Sequence, residues 1–398
     1  MAKIYVEGLY KIFGPNPKKA LQMLSEGKTK DDIMASIRHG VGVNNATFEV
    51  HEGEIVVVMG LSGSGKSTLV RCLNRLITPT AGKILIDGRD VLTMDEDELR
   101  QLRQRKMGMV FQNFALFPHR TVLENAALGL EIQGMDKEQR LKLADEALSL
   151  VGLDGWGASY PRQLSGGMQQ RVGLARALAL SPDILLMDEA FSALDPLIRR
   201  DMQDELINLQ ERMRKTIVFI SHDLDEALKL GDRIILMKDG AIVQIGTPEE
   251  ILTHPADDYV ARFVEDVDIT KVMTAESVMK HSEAVAYLRT DGPRAALRKM
   301  RKHNIAHLFV VDHTHRLVGI VSADSAAVLA QRGEGSLTEA ICTDIKTVFP
   351  GTPAQDLFGI MADLPYPLAV VDEGNKFKGV IVRGTLVAAL AERGGAAA

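Results

Sequence analysis

Two cysteines, one tryptophan and six tyrosines are all that this chain of 398 residues holds of those types. Cys72 and Cys342 lie far apart, which excludes a disulfide scaffold or a structural zinc site and fits a reducing compartment. No apolar run approaches 18 residues, so no membrane-spanning helix is expected. The start, Met1-Ala2-Lys3-Ile4-Tyr5, lacks an apolar signal segment, and the expected location is the cytoplasm. Cations are not in surplus. Lys+Arg 47 against Asp+Glu 53 gives a net charge of −6, which argues against a general nucleic-acid binder. Nor is the chain poor in apolar residues: 46% belong to the AVILMFWYC set, enough for a sizeable core. At about 150 residues per domain, the length implies two to three domains.

To about residue 270 the chain alternates strand-like and helix-like pieces. Ile4 to Tyr10, Ile55 to Met59, Ile84 to Ile86, Gly108 to Phe111, Ile184 to Met187, Ile217 to Ile220 and Arg233 to Met237 read as strands, and Lys66 to Ile77 as a helix. Ile55–Met59 is almost purely apolar, as a parallel strand buried on both faces must be. The order predicts an α/β sheet with crossovers. Two segments interrupt it. Residues 15–40 read as two short helices, with Leu21 and Leu24 on one face of the first, Ile33 and Ile37 on one face of the second, Gly27 between them and Thr29 as a cap. Residues 95–165 read as a mostly helical subdomain inserted into the sheet domain.

Beyond 270 the chain repeats itself. Leu308 to Asp312 and Arg316 to Val321 resemble Leu368 to Asp372 and Lys376 to Ile381 at an offset of 60 residues, with Asp312 matching Asp372 and Gly319 matching Gly379. Each copy reads strand, turn, strand, helix. Two copies predict one pseudo-symmetric module, with boundaries at 272–332 and 336–392 and a flexible tail at 393–398.

Gly60-Leu61-Ser62-Gly63-Ser64-Gly65-Lys66-Ser67-Thr68 fits G-x-x-x-x-G-K-[ST] between a strand and a helix. The glycines let backbone N–H groups turn toward phosphate oxygens, and the helix N-terminus adds positive potential. Lys66 is expected on the β/γ-phosphates, with the Ser67 hydroxyl as a Mg²⁺ ligand. Ile184 to Met187 ends in Asp188-Glu189. Asp188 is expected to hold Mg²⁺ through its water shell, and Glu189 to polarise a water aimed at the γ-phosphate.

Leu164-Ser165-Gly166-Gly167-Met168-Gln169-Gln170-Arg171 places a second anion cradle before a helix. With this string the chain resembles the ATP-binding subunits of ABC transporters. The resemblance implies that Ser165, Gly166, Gly167 and Gln169 close over ATP held by the opposite subunit. It further implies that Gln112 senses Mg²⁺ and the γ-phosphate, that Asp195 in Ser192-Ala193-Leu194-Asp195 lies across a dimer interface, and that His222 contacts the γ-phosphate. Phe13 matches the aromatic position that stacks on adenine, with Tyr10 as a competitor.

A closer resemblance covers nearly the whole chain. The insertion at 15–40, the string Met187 to Arg199 and the C-terminal repeat resemble the ATPase subunits of glycine betaine/proline (quaternary-amine) importers, which carry a tandem CBS module. The implied fold is an ABC-type P-loop ATPase domain with an inserted helical subdomain, followed by a β-α CBS repeat pair. The resemblance implies that the segment from Asn113 to His119 grips a membrane permease, with Phe114, Leu116 and Phe117 as apolar contacts. In the first repeat, Asp324 matches a carboxylate that binds ribose hydroxyls; Gly384 stands at the matching place in the second. Arg294, Arg298, Lys299, Arg301 and Lys302 form a cationic run that predicts a salt-sensitive latch on anionic lipid.

The implied function is ATP-driven uptake of an osmoprotectant. It would be carried out by a head-to-tail dimer on the inner face of the cell membrane, beneath a permease fed by a separate substrate-binding protein. An importer of another small solute such as an amino acid, a soluble ABC protein without a permease and a CBS nucleotide sensor are the alternatives. The intact Lys66, Asp188, Glu189 and His222 set weighs against the last.

Overall fold

The computed structural model describes residues 2–111, 114–192, 194–265, 267, 272–281, 284–384 and 386. It divides into two units, Met1–Asp266 and Val267–Ala398.

The first unit holds two sheets. One is antiparallel, with strands in the order Gly40–His51, Ala2–Phe13, Ala81–Ile86, Arg89–Asp90. The other runs Ala241–Gly246, Arg233–Lys238, Ile55–Met59, Thr216–Ile220, Ile184–Asp188, Met107–Val110. It is parallel except at its Ala241–Gly246 edge. Ile55–Met59, Ile184–Asp188 and Thr216–Ile220 are buried at every residue, as runs that are apolar but for Asp188 and Thr216 demand. Residues from both sheets and from the helix Lys66–Leu73, among them Val6, Ile84, Val58, Leu69 and Leu186, form one core.

The 15–40 insertion is a pair of helices, Pro17–Ser25 and Lys30–Ile37. Thr29 and Asp32 cap the second reciprocally, and Ala20 and Ile33 pack on Ile12 and Val41, with Leu21, Leu24 and Ile37 at the margin. Within 95–165, the helix Glu96–Arg105 sends Leu99 and Leu102 into the core shared by the sheets. The helices Val122–Ala126, Leu128–Ile132 and Lys137–Leu150 follow the strand Met107–Val110. The helix predicted for 66–77 stops at Leu73 with Asn74 as its C-cap.

The second unit carries two three-stranded sheets, Val285–Tyr287, His307–Val311, Leu317–Ser322 and Thr347–Val348, Leu368–Val371, Phe377–Ile381. Each matched aspartate builds the turn between its strands. Asp312 Oδ1 accepts from the Thr314 and Arg316 amides at 2.8 and 2.9 Å, and Asp372 Oδ1 from Gly374 and Lys376 at 3.0 and 2.8 Å. The repeats interlock. Lys280, ahead of the first sheet, pairs with Val380 of the second, and Cys342, ahead of the second, pairs with Ile320 of the first. Phe309, Leu317 and Val311 share a core with Val371 and Phe377.

Candidate active site

Three neighbouring parallel strands end on one side of the sheet and lead into the predicted site residues, where ligands of open α/β sheets commonly bind. Ile55–Met59 leads into the glycine loop, Ile184–Asp188 ends in the acidic pair, and Thr216–Ile220 leads to Ser221 and His222. Gly60, Leu61, Ser62, Gly63, Gly65, Lys66, Ser67, Thr68, Glu189 and His222 line one pocket of about 620 Å³, together with Gly42.

Two glycines of the loop are needed for shape. Gly60 has φ +142° and Gly65 φ +102°, and a Cβ at either would collide with a carbonyl oxygen, of Met237 and Gly42 respectively. Lys66 is buried. Its Nζ donates to the carbonyls of Gly60 and Leu61 at 2.8 and 3.1 Å. Burial pushes its pKa down, while the carboxylates of Glu189 and Asp188 pull it back up. Ser67 Oγ donates to Asp188 Oδ1 at 2.9 Å, and the other oxygen of Asp188 pairs with Arg71 at 3.1 Å.

Glu189 stands in the left-handed region at φ +47°, a cost of about 1–2 kcal/mol for a side-chain-bearing residue. Its carbonyl accepts from the Ser192 hydroxyl at 2.9 Å and amide at 3.2 Å, which holds the turn. The turn brings Glu189 Oε2 to 3.7 Å from His222 Nδ1. Behind His222, Ser221 donates to buried Glu226, which also accepts from Gln203 at 3.0 Å. Burial raises the Glu226 pKa against these two bonds.

Phe13 is 44% exposed. A Cβ on Gly42 would lie 2.7 Å from the Phe13 ring and 3.0 Å from Thr68, so the ring sits beside the pocket wall. Tyr10, three residues back, is half-buried and pairs with Ala81 in the sheet.

The other predicted residues stand apart from this pocket's lining. Ser165 caps the helix Gly166–Leu178 by accepting from Met168 N. Gln169 turns back, donating to the carbonyls of Pro161 and Leu164 at 3.1 and 3.2 Å. Asp195 caps the helix Pro196–Met213. Gln112 and Asn113 lie outside the described residues. Phe114 and Ala115 adopt positive φ, and their carbonyls accept from Arg176. In the second unit Asp324 is exposed in the first turn of Ala323–Arg332. Beside Gly384, Arg383 donates to the carbonyls of Met361, Ala362 and Leu364. Arg294, Arg298, Arg301 and Lys302 are exposed, but Lys299 turns inward to Asp291 at 2.7 Å and the Val285 carbonyl at 3.0 Å.

Sequence reasoning missed Arg71, Gly42 and Arg199. Arg71 had a signal: it follows Ser67 by one helical turn, so both face Asp188. Arg199 and Gly42 act through the fold and left no local pattern.

The residues fit a magnesium nucleotide. Ser64 Oγ is buried with no hydrogen-bond partner among the described residues, and a hydroxyl and a carboxylate already meet at Ser67 and Asp188. Among the described residues no group of three or more His, Cys, Asp or Glu side chains could hold a metal by itself. Two side-chain oxygens leave room for phosphate and water ligands, the habit of Mg²⁺. Among the described residues no helix is long and apolar enough to cross a membrane.

The ABC transporter family model matches residues 43–192, and the CBS domain model matches 275–327 and 337–392. The chain is 58% identical over 390 residues to the glycine betaine transport ATP-binding protein OpuAA of Bacillus subtilis (strain 168), covering 98% of this chain and 92% of the relative. It is 56% identical to the glycine betaine/carnitine transport ATP-binding protein GbuA of Listeria monocytogenes serotype 1/2a (strain 10403S), covering 98% of each. A bacterial ABC transporter cassette solved as a dimer superposes with a TM-score of 0.52 at 35% identity, covering 62% of this chain and 98% of that one. The same cassette with ADP and Pi, in a post-hydrolysis state, gives a TM-score of 0.53 at 34% identity. This chain therefore belongs to the ATP-binding proteins of ABC transporters, in the branch that carries a C-terminal pair of CBS domains.

Proposed function

We propose that this chain hydrolyses ATP to power uptake of glycine betaine or a related quaternary amine through a separate membrane permease. The observation that carries the substrate is the full-length likeness, CBS pair included, to glycine betaine transport ATP-binding proteins.

The chemistry follows from the pocket. The loop from Gly60 to Thr68 and Lys66 bind the ATP phosphates, and Phe13 carries the adenine. Ser67 and Asp188 hold Mg²⁺, with Gln112 completing the set. When bound, the ion neutralises charge on the phosphate oxygens. Glu189 accepts the proton of the attacking water at a carboxylate oxygen. It lines the same pocket as the glycine loop. His222, on the next strand end, donates to the γ-phosphate. Ser165, Gly166, Gly167, Gln169 and Asp195 act across the interface of a head-to-tail dimer. Their separation from the pocket lined by Lys66 supports this reading.

The stretch at about 95–165 supplies a helical subdomain, with the helices Val122–Ala126, Leu128–Ile132 and Lys137–Leu150 at its centre. Phe114, Leu116 and Phe117 grip the permease at the inner face of the membrane, and a substrate-binding protein delivers the solute. Residues 272–392 regulate. Either an adenine nucleotide at Asp324 or anionic lipid at Arg298, Arg301 and Lys302 is the signal, and the exposure of those cations supports lipid.

The test is reconstitution with the permease in vesicles and measurement of labelled solute uptake. ATP-dependent uptake of glycine betaine is expected. Uptake of an amino acid with none of glycine betaine would overturn the substrate.

A further inference from the structure

The insertion at 15–40 has no part in the chemistry above, yet it is clamped beside the nucleotide pocket. Buried His39 accepts from the Asn16 amide at Nε2, 2.9 Å away, and its Nδ1 lies 2.6 Å from the Ile37 carbonyl. One ring thus ties the start of the insertion to its end. Gly14 passes so close that a Cβ there would strike the same ring. The helix Lys30–Ile37 is held in place, not loosely tethered.

One of its side chains reaches the glycine loop, and a second stands beside Phe13. Lys30 Nζ donates to the carbonyl of Gly63, a lining residue of the glycine loop, at 3.2 Å. Met34 is 48% exposed, although the insertion buries Ile33 completely. Gly40 pairs directly with Phe13 in the sheet, and the place its Cβ would take lies 3.8 Å from Met34 Cε and 3.9 Å from Phe13 Cβ. Two exposed apolar side chains, a thioether and a phenyl ring, therefore flank the same glycine, two residues before Gly42 of the pocket wall. Lys11 Nζ stands 5.0 Å from the centroid of the Phe13 ring.

We propose that the insertion supplies a second wall of the nucleotide site, with Met34 packing against the purine base that rests on Phe13. Lys30 fastens this wall to the glycine loop. The ligand class is a purine nucleotide, recognised by a flat base through sulfur–aromatic and apolar contact. The proposal rests on the reading of Phe13 as the base platform.

The full-length chain is titrated by calorimetry with ADP, which avoids hydrolysis, and with inorganic pyrophosphate as a probe without a base. Met34→Ala should weaken ADP binding by about 3- to 10-fold and leave pyrophosphate unchanged. Met34→Leu should stay within about twofold of the parent, because its apolar volume is similar. If Phe13→Ala weakens ADP and Met34→Ala does not, the wall is overturned and the platform stands. If neither variant weakens ADP, both readings fall. Equal losses for ADP and pyrophosphate in Met34→Ala would place its effect on the glycine loop and overturn the wall.

Discussion

The Arg199 guanidinium lies 3.3 Å from Asp223 Oδ2. Its other amino group donates to the carbonyls of Ser192 and Leu194 at 3.4 and 3.2 Å. One side chain thus joins the loop after Glu189 to the turn that presents His222. If Glu189 and His222 act as proposed, Arg199→Ala should slow hydrolysis by about tenfold, since it removes a partly buried ion pair between the two segments that carry them. Nucleotide affinity should stay close to that of the parent. Steady-state turnover beside a direct ADP titration separates the two; a loss in affinity alone would contradict this positioning role.

The proposed two-subunit site predicts a sharp signature. Gly167 is a poor probe, because a Cβ there would strike Ile198 of the same chain. Gly166 is better, with nothing nearer to its Cβ position than Phe114 Cζ at 3.9 Å. In a mixed dimer with Lys66→Ala in one protomer and Gly166→Asp in the other, both defects fall on one composite site, and the other stays intact. With both changes in the same protomer, neither site is intact. The first dimer should trap one nucleotide tightly and the second none. Equal trapping would contradict closure between subunits.

The cationic helix Pro293–His303 offers a test of regulation. The Debye length falls from ~10 Å at 0.1 M salt to ~3 Å at 1 M, so a lipid contact through Arg298, Arg301 and Lys302 weakens as salt rises. Lys299 is left untouched, since it is bound to Asp291. Replacing the other three by Gln should relieve low-salt inhibition of uptake in anionic vesicles. Truncation near residue 270 should do the same while uptake persists. A salt curve unchanged in both proteins would refute the latch.

Acid stability should depend on a charge quartet formed by Lys3, Asp87, Lys106 and Asp183. Lys3 meets Asp87 and Asp183 at 2.8 and 3.1 Å, and Lys106 meets Asp183 at 2.6 Å. Burial alone would raise the Asp183 pKa, but hydrogen bonds from Lys106 and Lys3 hold it below its ordinary 3.8. A lowered carboxylate contributes stability above its unfolded pKa and loses it as pH falls through the folded one. The partners are partly exposed, so the contribution is below about 1 kcal/mol per pair. Denaturation of Asp183→Asn and the parent should show a gap at pH 7 that closes below about pH 4. A gap constant down to pH 3 would contradict it.

Much of this was legible because local chemistry decided it. The glycine loop needs glycine at 60 and 65 where carbonyls crowd the backbone, and the Thr29 cap needs only Asp32 three residues on. Asp312 and Asp372 repeat because each folds its own turn. What stayed hidden depends on contacts between distant segments. Arg199 reaches Asp223, the core takes in Leu99 and Leu102 from a stretch that reads as helical subdomain, and Lys280 and Cys342 cross between repeats. A cationic run reads as a uniform patch, yet one member, Lys299, folds inward because Asp291 stands just before the start of its helix.

The central claim, that Glu189 drives hydrolysis and hydrolysis drives import, meets its most direct test in Glu189→Gln reconstituted with the permease. ATP turnover and labelled glycine betaine uptake are measured in the same vesicles. Loss of a general base lowers the rate by ~10²–10⁴, so both should fall together while ATP stays bound and the dimer accumulates. Normal turnover, or uptake that persists without it, would contradict the account.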